Sequence, residues 1–274
     1  ESETLKLVEF ESQMLSAFWG RGVMMRAAVL LPPAFAEDPK TLFPASYNVH
    51  GFGGSHRAAS FRAASLEKEM AEGKRPNLVR VFLDASFSTG HHVFADSVNN
   101  GPWGAALTRE FIPYLEKRFR LVAKPSARFL TGHSSGGWTT LWLQVAYPDF
   151  FGGTWPTAPD PVDFRSFTGI DATASTKDNA YREPDGSKKM LVRRQGKFVT
   201  SFEDFTRHEE VLGPVGGQIA SFEWVFSPRG ADGRPMKLFN RTTGEIDPAV
   251  AKAWEKYDIR LILDRNWTQL GPKL

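Results

Sequence analysis

The hexapeptide Gly132-His133-Ser134-Ser135-Gly136-Gly137 constrains this chain more than any other stretch. It follows a short apolar run, Arg128-Phe129-Leu130-Thr131, and opens a helical pattern at Trp138. A serine in G-x-S-x-G between strand and helix sits on a sharp turn, its hydroxyl at the carboxyl end of the sheet. The glycines tolerate strained backbone and let strand and helix approach closely. Ser134 is therefore the candidate nucleophile. The bland alternative is a glycine-rich loop capped by a serine, and the flanking strand and helix argue against it.

The next residues fit a helix. Trp138, Leu141, Trp142 and Val145 fall at i, i+3, i+4 and i+7, one apolar stripe, which assigns both tryptophans to the core. Tyr147-Pro148 ends the helix, because proline cannot continue one and disfavours helical backbone in the residue before it. Residues 150–156 read as the next buried strand. Upstream, residues 45–49 read as a strand leading into His50-Gly51-Phe52-Gly53-Gly54. A loop of that kind donates one backbone N–H to an oxyanion hole, and the residue after the nucleophile donates the other. The candidates are Phe52 and Ser135. An ordinary strand-to-loop turn is the alternative.

These motifs resemble the putative esterase family of the α/β-hydrolases, which holds feruloyl and acetylxylan esterases, S-formylglutathione hydrolase, enterochelin esterases and mycolyltransferases. The similar stretches are Leu30-Leu31-Pro32-Pro33, Tyr47 through Gly54, Gly101-Pro102-Trp103-Gly104, Gly132 through Gly137, and Tyr147-Pro148-Asp149-Phe150-Phe151-Gly152. They stand in the family's order over about residues 23–160. The resemblance implies an α/β-hydrolase fold, a mostly parallel central sheet with helices on both faces. It also implies a serine, acid, histidine triad in that chain order.

Length and composition agree with a single α/β unit. The chain has 274 residues, 41% hydrophobic and 24% charged, which is globular rather than disordered. The formal charge of +3 is small and its basic residues are dispersed, so a nucleic-acid partner is not expected. No apolar run is long enough to span a bilayer. There is no cysteine, which rules out disulfides, thiolate metal sites and a cysteine nucleophile. No cofactor or metal is expected. The expected partner is a small-molecule or carbohydrate-linked ester. The chain starts at Glu1 without methionine; a removed secretory signal would explain that, and so would an excision boundary, so the location is left open, with a secreted or periplasmic one expected slightly ahead of a cytoplasmic one.

Residues 5–12 and 23–31 read as early antiparallel strands, 58–73 as a helix and 78–84 as a buried strand. Residues 105–119 read as a helix that Pro113 should kink or restart. Strands alternating with helices argue for a doubly wound sheet. Residues 169–196 are rich in charge and read as an insertion. Residues 198–214 and 219–228 recover apolar character, and Glu223-Trp224-Val225-Phe226 reads as a strand. The expected division is a hydrolase core over 1–166, an insertion or lid-like excursion over 167–257, and a return towards the core sheet over 258–274. Its aromatics, Phe202, Phe205, Phe222, Trp224 and Phe226, line either an acyl pocket or a satellite core.

Loops at the carboxyl ends of strands line the site in open α/β sheets. His92, Asp96, Ser97 and Asn99 are therefore candidate substrate contacts, as are His50 and Trp103. His91 beside His92 lacks an acidic ligand set, so a metal site there is disfavoured. His133 reads as a motif filler. A serine needs a histidine to take its proton and a carboxylate to orient that histidine. His208 is the only histidine after Ser134, and Asp160 and Asp163 are candidate acids. His208 lies inside the insertion, whereas the family places its histidine near the chain end. The chain is therefore expected to be C-terminally truncated and to lack its base. The expected activity is a serine carboxylic-ester hydrolase working through an acyl-enzyme. The alternatives are an acyltransferase and a non-catalytic binding module on the same fold.

Overall fold

The computed structural model describes residues 3–213 and 217–274. Strands β1 (Leu5–Glu11) and β2 (Met24–Leu30) pair antiparallel around α1 (Gln13–Trp19). Ser12 starts that helix by accepting the Leu15 amide at 3.1 Å, and Gly20 ends it at φ 63°. β3 (Ala45–Val49), α2 (Ser60–Ala71) and β4 (Val79–Leu83) follow. Two short ribbons come next, β5 (Ser86–Phe87) with β6 (Gly90–His91) and β7 (Asp96–Ser97) with β8 (Gly101–Pro102).

The expected helix over 105–119 is three joined pieces. α3 (Trp103–Ala106) runs into a π-helical turn (Leu107–Phe111) and then α4 (Ile112–Arg118). Pro113 supplies no N–H to the ladder, and the wider turn just before it absorbs that loss.

β9 (Arg128–His133), α5 (Ser135–Ala146) and β10 (Thr154–Thr157) complete a six-stranded sheet in the order β1-β2-β4-β3-β9-β10. The run from β4 to β10 is parallel. One face packs Val29, Val49, Val81 and Leu130 against Ile112, Leu115 and Leu143. The other packs Ala28 and Leu30 against Leu66 and Met70 of α2. Arg128 and Glu116 are both buried and pair through two contacts of 2.6 and 3.2 Å, which tie β9 to α4.

β10 is not the buried strand expected. Trp155 is 60% exposed and meets Phe129 edge-on at 5.8 Å.

Among the described residues, 167–257 add no strand to the six-stranded sheet. Their strands, β11 (Met190–Arg194) and β12 (Lys197–Ser201), pair with each other. α6 (Phe202–Leu212), α7 (Gly217–Phe226) and α8 (Pro248–Trp254) follow. Pro214, within the expected apolar stretch 198–214, lies outside the described residues. Residues 223–226 are helix, not strand. Ile219, Phe222, Val225 and Phe226 are all buried, and that apolar density reads as a strand over four residues but is a buried helix over ten.

The segment 258–274 does not approach a strand either. It forms α9 (Ile259–Leu270) and a short 3₁₀ turn. Asp258 fixes it, capping α9 through the Leu261 amide (2.8 Å) and accepting the Phe164 amide (2.9 Å).

Most of the excursion's aromatics build a satellite core. Phe226 touches Trp138 of α5 (5.1 Å), Trp254 (5.1 Å) and Tyr257 (4.9 Å) between ring centres. Trp138 is buried and stacks on Trp142 at 5.5 Å, as their stripe predicts. Trp138 and Val145 thus belong to this second core, while Leu143 of the same helix belongs to the first.

The elbow helix crosses β3 at backbone distance. A Cβ on Gly136 would lie 2.1 Å from the Val49 carbonyl oxygen, and one on Gly132 2.2 Å from that of Gly136. Backbone cannot yield as a side chain can. Gly136→Ala is therefore expected to cost at least about 3 kcal/mol of stability, the upper part of the overpacking range. Chemical denaturation of variant and parent checks this; an unchanged midpoint contradicts it.

Candidate active site

β9 ends at His133, and α5 begins at Ser135. Ser134 bridges them at φ 56°, ψ −124°, a conformation non-glycine residues rarely adopt. The strain turns its side chain out of both elements, and the residue is half-buried rather than enclosed. Its hydroxyl donates to Asp160 Oδ1 at 3.3 Å. Ser135 donates to Asp160 Oδ2 at 2.5 Å, and Gln218 Nε2 approaches Ser135 Oγ (3.3 Å) and Asp160 Oδ2 (3.5 Å). Burial pushes the Asp160 carboxyl above its ordinary value, although hydrogen bonds from Ser135, Ser134 and Gln218 oppose the shift. Gln218 opens α7, so the excursion reaches the serine's own hydrogen-bond network. Nothing in the sequence around Gln218 marks it; Glu209 holds it there by accepting its amide at 2.7 Å.

The Gly51 loop lies against the elbow. A Cβ on Gly51 would stand 3.1 Å from Ser134 Cβ and 3.7 Å from its hydroxyl. Gly54 N donates to Gly51 O at 3.0 Å, closing the loop as a turn. Neither the Phe52 nor the Ser135 amide donates to an acceptor among the described residues. A cavity of about 350 Å³ opens beside the elbow, bordered by His50, His56, Arg62, Thr131, His133 and Thr157.

The other candidates go elsewhere. His208 is exposed on α6 and hydrogen-bonds neither Ser134 nor Asp160. Asp163 pairs with Arg165 at 2.6 Å and caps the turn after β10. His92 is buried with its ring stacked on Trp103 at 3.6 Å, so both serve packing where substrate contact was expected. Burial pushes the His92 imidazole well below its usual range. Asp96 caps α3 through the Gly104 (2.9 Å) and Ala105 (3.0 Å) amides and accepts the Tyr147 hydroxyl at 2.9 Å. Ser97 accepts the Asn99 amide and donates to Trp224 O, both at 3.1 Å, and Asn99 reaches Ser227 O at 2.9 Å. Four loop residues read as substrate contacts thus hold the loop together and tie it to α7. His133 is exposed beside Thr157 (3.2 Å). No cluster of ligating side chains suited to a metal occurs among the described residues.

A six-stranded, mostly parallel sheet flanked by helices, with a strained serine between β9 and α5, is an α/β-hydrolase fold. Residues 22–162 match the model of the family described as "Putative esterase", and the chain belongs to that family. No curated protein matches it. Similar solved structures include a ferulic acid esterase, at 20% identity and TM-score 0.48 over 57% of this chain and 59% of that one. An S-formylglutathione hydrolase from Agrobacterium tumefaciens aligns at 19% identity and TM-score 0.47, over 59% and 60%. The enterobactin esterase of Shigella flexneri aligns at 16% and 0.42, over 56% and 36%. The chain spans less than two thirds of the length of each.

A carboxyl raised in the folded state binds its proton more tightly there than in the unfolded chain. Its contribution to stability is therefore lost as pH rises from the ordinary carboxylate range through the raised value. Asp160→Asn carries no such charge. The variant is expected to gain stability over the parent at pH 8 and to lose that advantage at pH 4. Denaturation midpoints at the two pH values check it, and an equal difference at both contradicts the assignment.

Proposed function

We propose that this chain is a serine carboxylic-ester hydrolase, with Ser134 forming the acyl-enzyme. The observation that carries the reading is the strained Ser134 backbone with the Gly51 loop packed on its Cβ. Ser134 Oγ attacks the ester carbonyl carbon as its proton passes to a base. The amides of Phe52 and Ser135 receive the oxyanion, worth roughly 3 kcal/mol for each donor. The C–O bond breaks, the alcohol leaves with the proton, and water cleaves the Oγ–acyl bond. Asp160 is the proposed acidic member; it accepts the Ser134 hydroxyl at 3.3 Å, and to serve as the acid it must turn from the serine to orient the histidine that takes the serine's proton. Among the described residues no histidine hydrogen-bonds Ser134, and His208 is exposed on α6, which weighs against His208 as the base. The substrate class proposed is a small-molecule or carbohydrate-linked ester; an acyltransferase would use the same steps with an alcohol in place of water.

A fluorophosphonate should label this chain slowly at Ser134, as expected of a serine whose proton has no histidine to take it, and Ser134→Ala should abolish labelling. Hydrolysis of a simple aryl ester should stay far below that of a complete triad, near the 10³–10⁴-fold residual of triad-less sites. His208→Ala should leave it unchanged. Fast turnover abolished by His208→Ala would make His208 the base and overturn that part of the proposal.

A further inference from the structure

Asp84, just after β4, meets two histidines beneath the oxyanion loop, and a third stands against one of them. Its Oδ2 lies 2.7 Å from His56 Nδ1 and its Oδ1 3.2 Å from His50 Nε2, and Oδ1 also accepts the Ser86 amide at 3.0 Å. Burial works against the Asp84 charge, but hydrogen bonds outweigh it and hold the carboxyl far below its usual range; the one from His50 requires a proton on Nε2. His91 supplies the third ring, its Nε2 2.9 Å from His50 O.

The His50 ring turns back on its own loop. Its Nε2 accepts the Ala85 amide at 2.9 Å, and its Nδ1 stands 2.8 Å from Gly51 O. Nε2 also stands 3.2 Å from Asp84 Oδ1, and the two contacts call for opposite protonation of that nitrogen; the shorter one, from the Ala85 amide, leaves Nε2 bare and puts the hydrogen of the neutral ring on Nδ1, where it donates to Gly51 O. His91 repeats the logic one residue earlier. Its Nδ1 accepts the Val93 amide at 3.2 Å, so its Nε2–H donates to His50 O. Two successive carbonyls are thus held by imidazoles.

A trans peptide is planar, with its C=O and following N–H pointing in opposite directions. The chain has no cis peptide among its described residues. Whatever fixes Gly51 O therefore fixes the direction of the Phe52 N–H. We infer that His50 is a positioning residue, which aims the Phe52 amide at the oxyanion by gripping the Gly51 carbonyl beside the Gly54 amide (3.0 Å), a turn bond that alone leaves the peptide free to tilt. The inference rests on the proposed serine mechanism. Gly54 fits the same device, since a Cβ there would lie 2.9 Å from His50 Cβ and 3.0 Å from Nδ1. Asp84 acts one step further out, pinning the turn whose Ala85 amide sets the His50 tautomer.

The test compares His50→Ala with His50→Asn, whose amide nitrogen can stand where Nδ1–H stood. Residual dipolar couplings report the Phe52 N–H direction without any chemistry, and phosphonylation of Ser134 by a fluorophosphonate reports the oxyanion site. In His50→Ala the N–H vector should reorient and phosphonylation slow by about 100-fold, the usual effect of losing one oxyanion donor. His50→Asn should restore most of both. An N–H vector and labelling rate in His50→Ala equal to the parent's would overturn the inference. If the parent never labels at Ser134, the serine mechanism fails instead, and the N–H vector alone decides the grip on Gly51. Should His50→Ala not fold, Asp84→Asn with the same two readouts replaces it: a reoriented vector supports the inference and an unmoved one refutes it.

Discussion

The passage of α5 across the end of β3 at backbone contact is the constraint on which the rest depends. Gly132 and Gly136 let the chain turn from strand to helix with no side chain between them and the Val49 carbonyl. That proximity brings the loop after β3 onto the serine. Were the helix a side chain's width further out, the Gly51 loop and Ser134 would face each other across a gap. The strain at Ser134 is then carried by two rigid neighbours, the parallel pair β3–β9 on one side and a helix buried along nine of its residues on the other.

The same helix joins both halves of the molecule. Leu143 packs on the sheet's core while Trp138 and Val145 enter the aromatic cluster of residues 164–259. Rings at 5–6 Å in tilted and edge-on arrangements add to the area they bury. The excursion is therefore anchored through the helix that starts at the nucleophile, and Gln218 enters the serine's network from it. Glu223, buried inside α7, is compensated by Arg241 at 2.8 Å and the Leu238 amide at 2.8 Å, which binds the segment before α8 to the same core.

The elbow, the parallel sheet and its order of elements were legible because short motifs and apolar periods are local. Ser134, Gly51 and the stripe of Trp138 and Trp142 all belong to that class. What was not legible depended on distant chain. Asp96, Ser97 and Asn99 look like site residues in a polar loop, but a polar loop also needs polar groups for its own backbone, and here each is consumed that way. His92 is apolar in behaviour because Trp103, eleven residues on, covers it. The role of His50 needs the Ala85 amide, which no spacing within its own loop could reveal. Residues 223–226 and 258–274 misled for a simpler reason: short apolar runs have no period long enough to separate helix from strand.

The outer edge of β10 has a chemical asymmetry with consequences for assembly. Leu130 and Ser134 donate to Gly153 O and Thr157 O, so in a parallel pair the intervening residues Thr154 and Pro156 turn their polar groups away from β9. Proline brings no N–H. Along this edge Thr154 alone can donate, whereas both residues offer carbonyls. A polypeptide joining the sheet there must contribute the donors itself, and its alignment is set by where it can supply them. Strand-to-strand stacking of two copies, which needs donors and acceptors on both sides, is correspondingly starved.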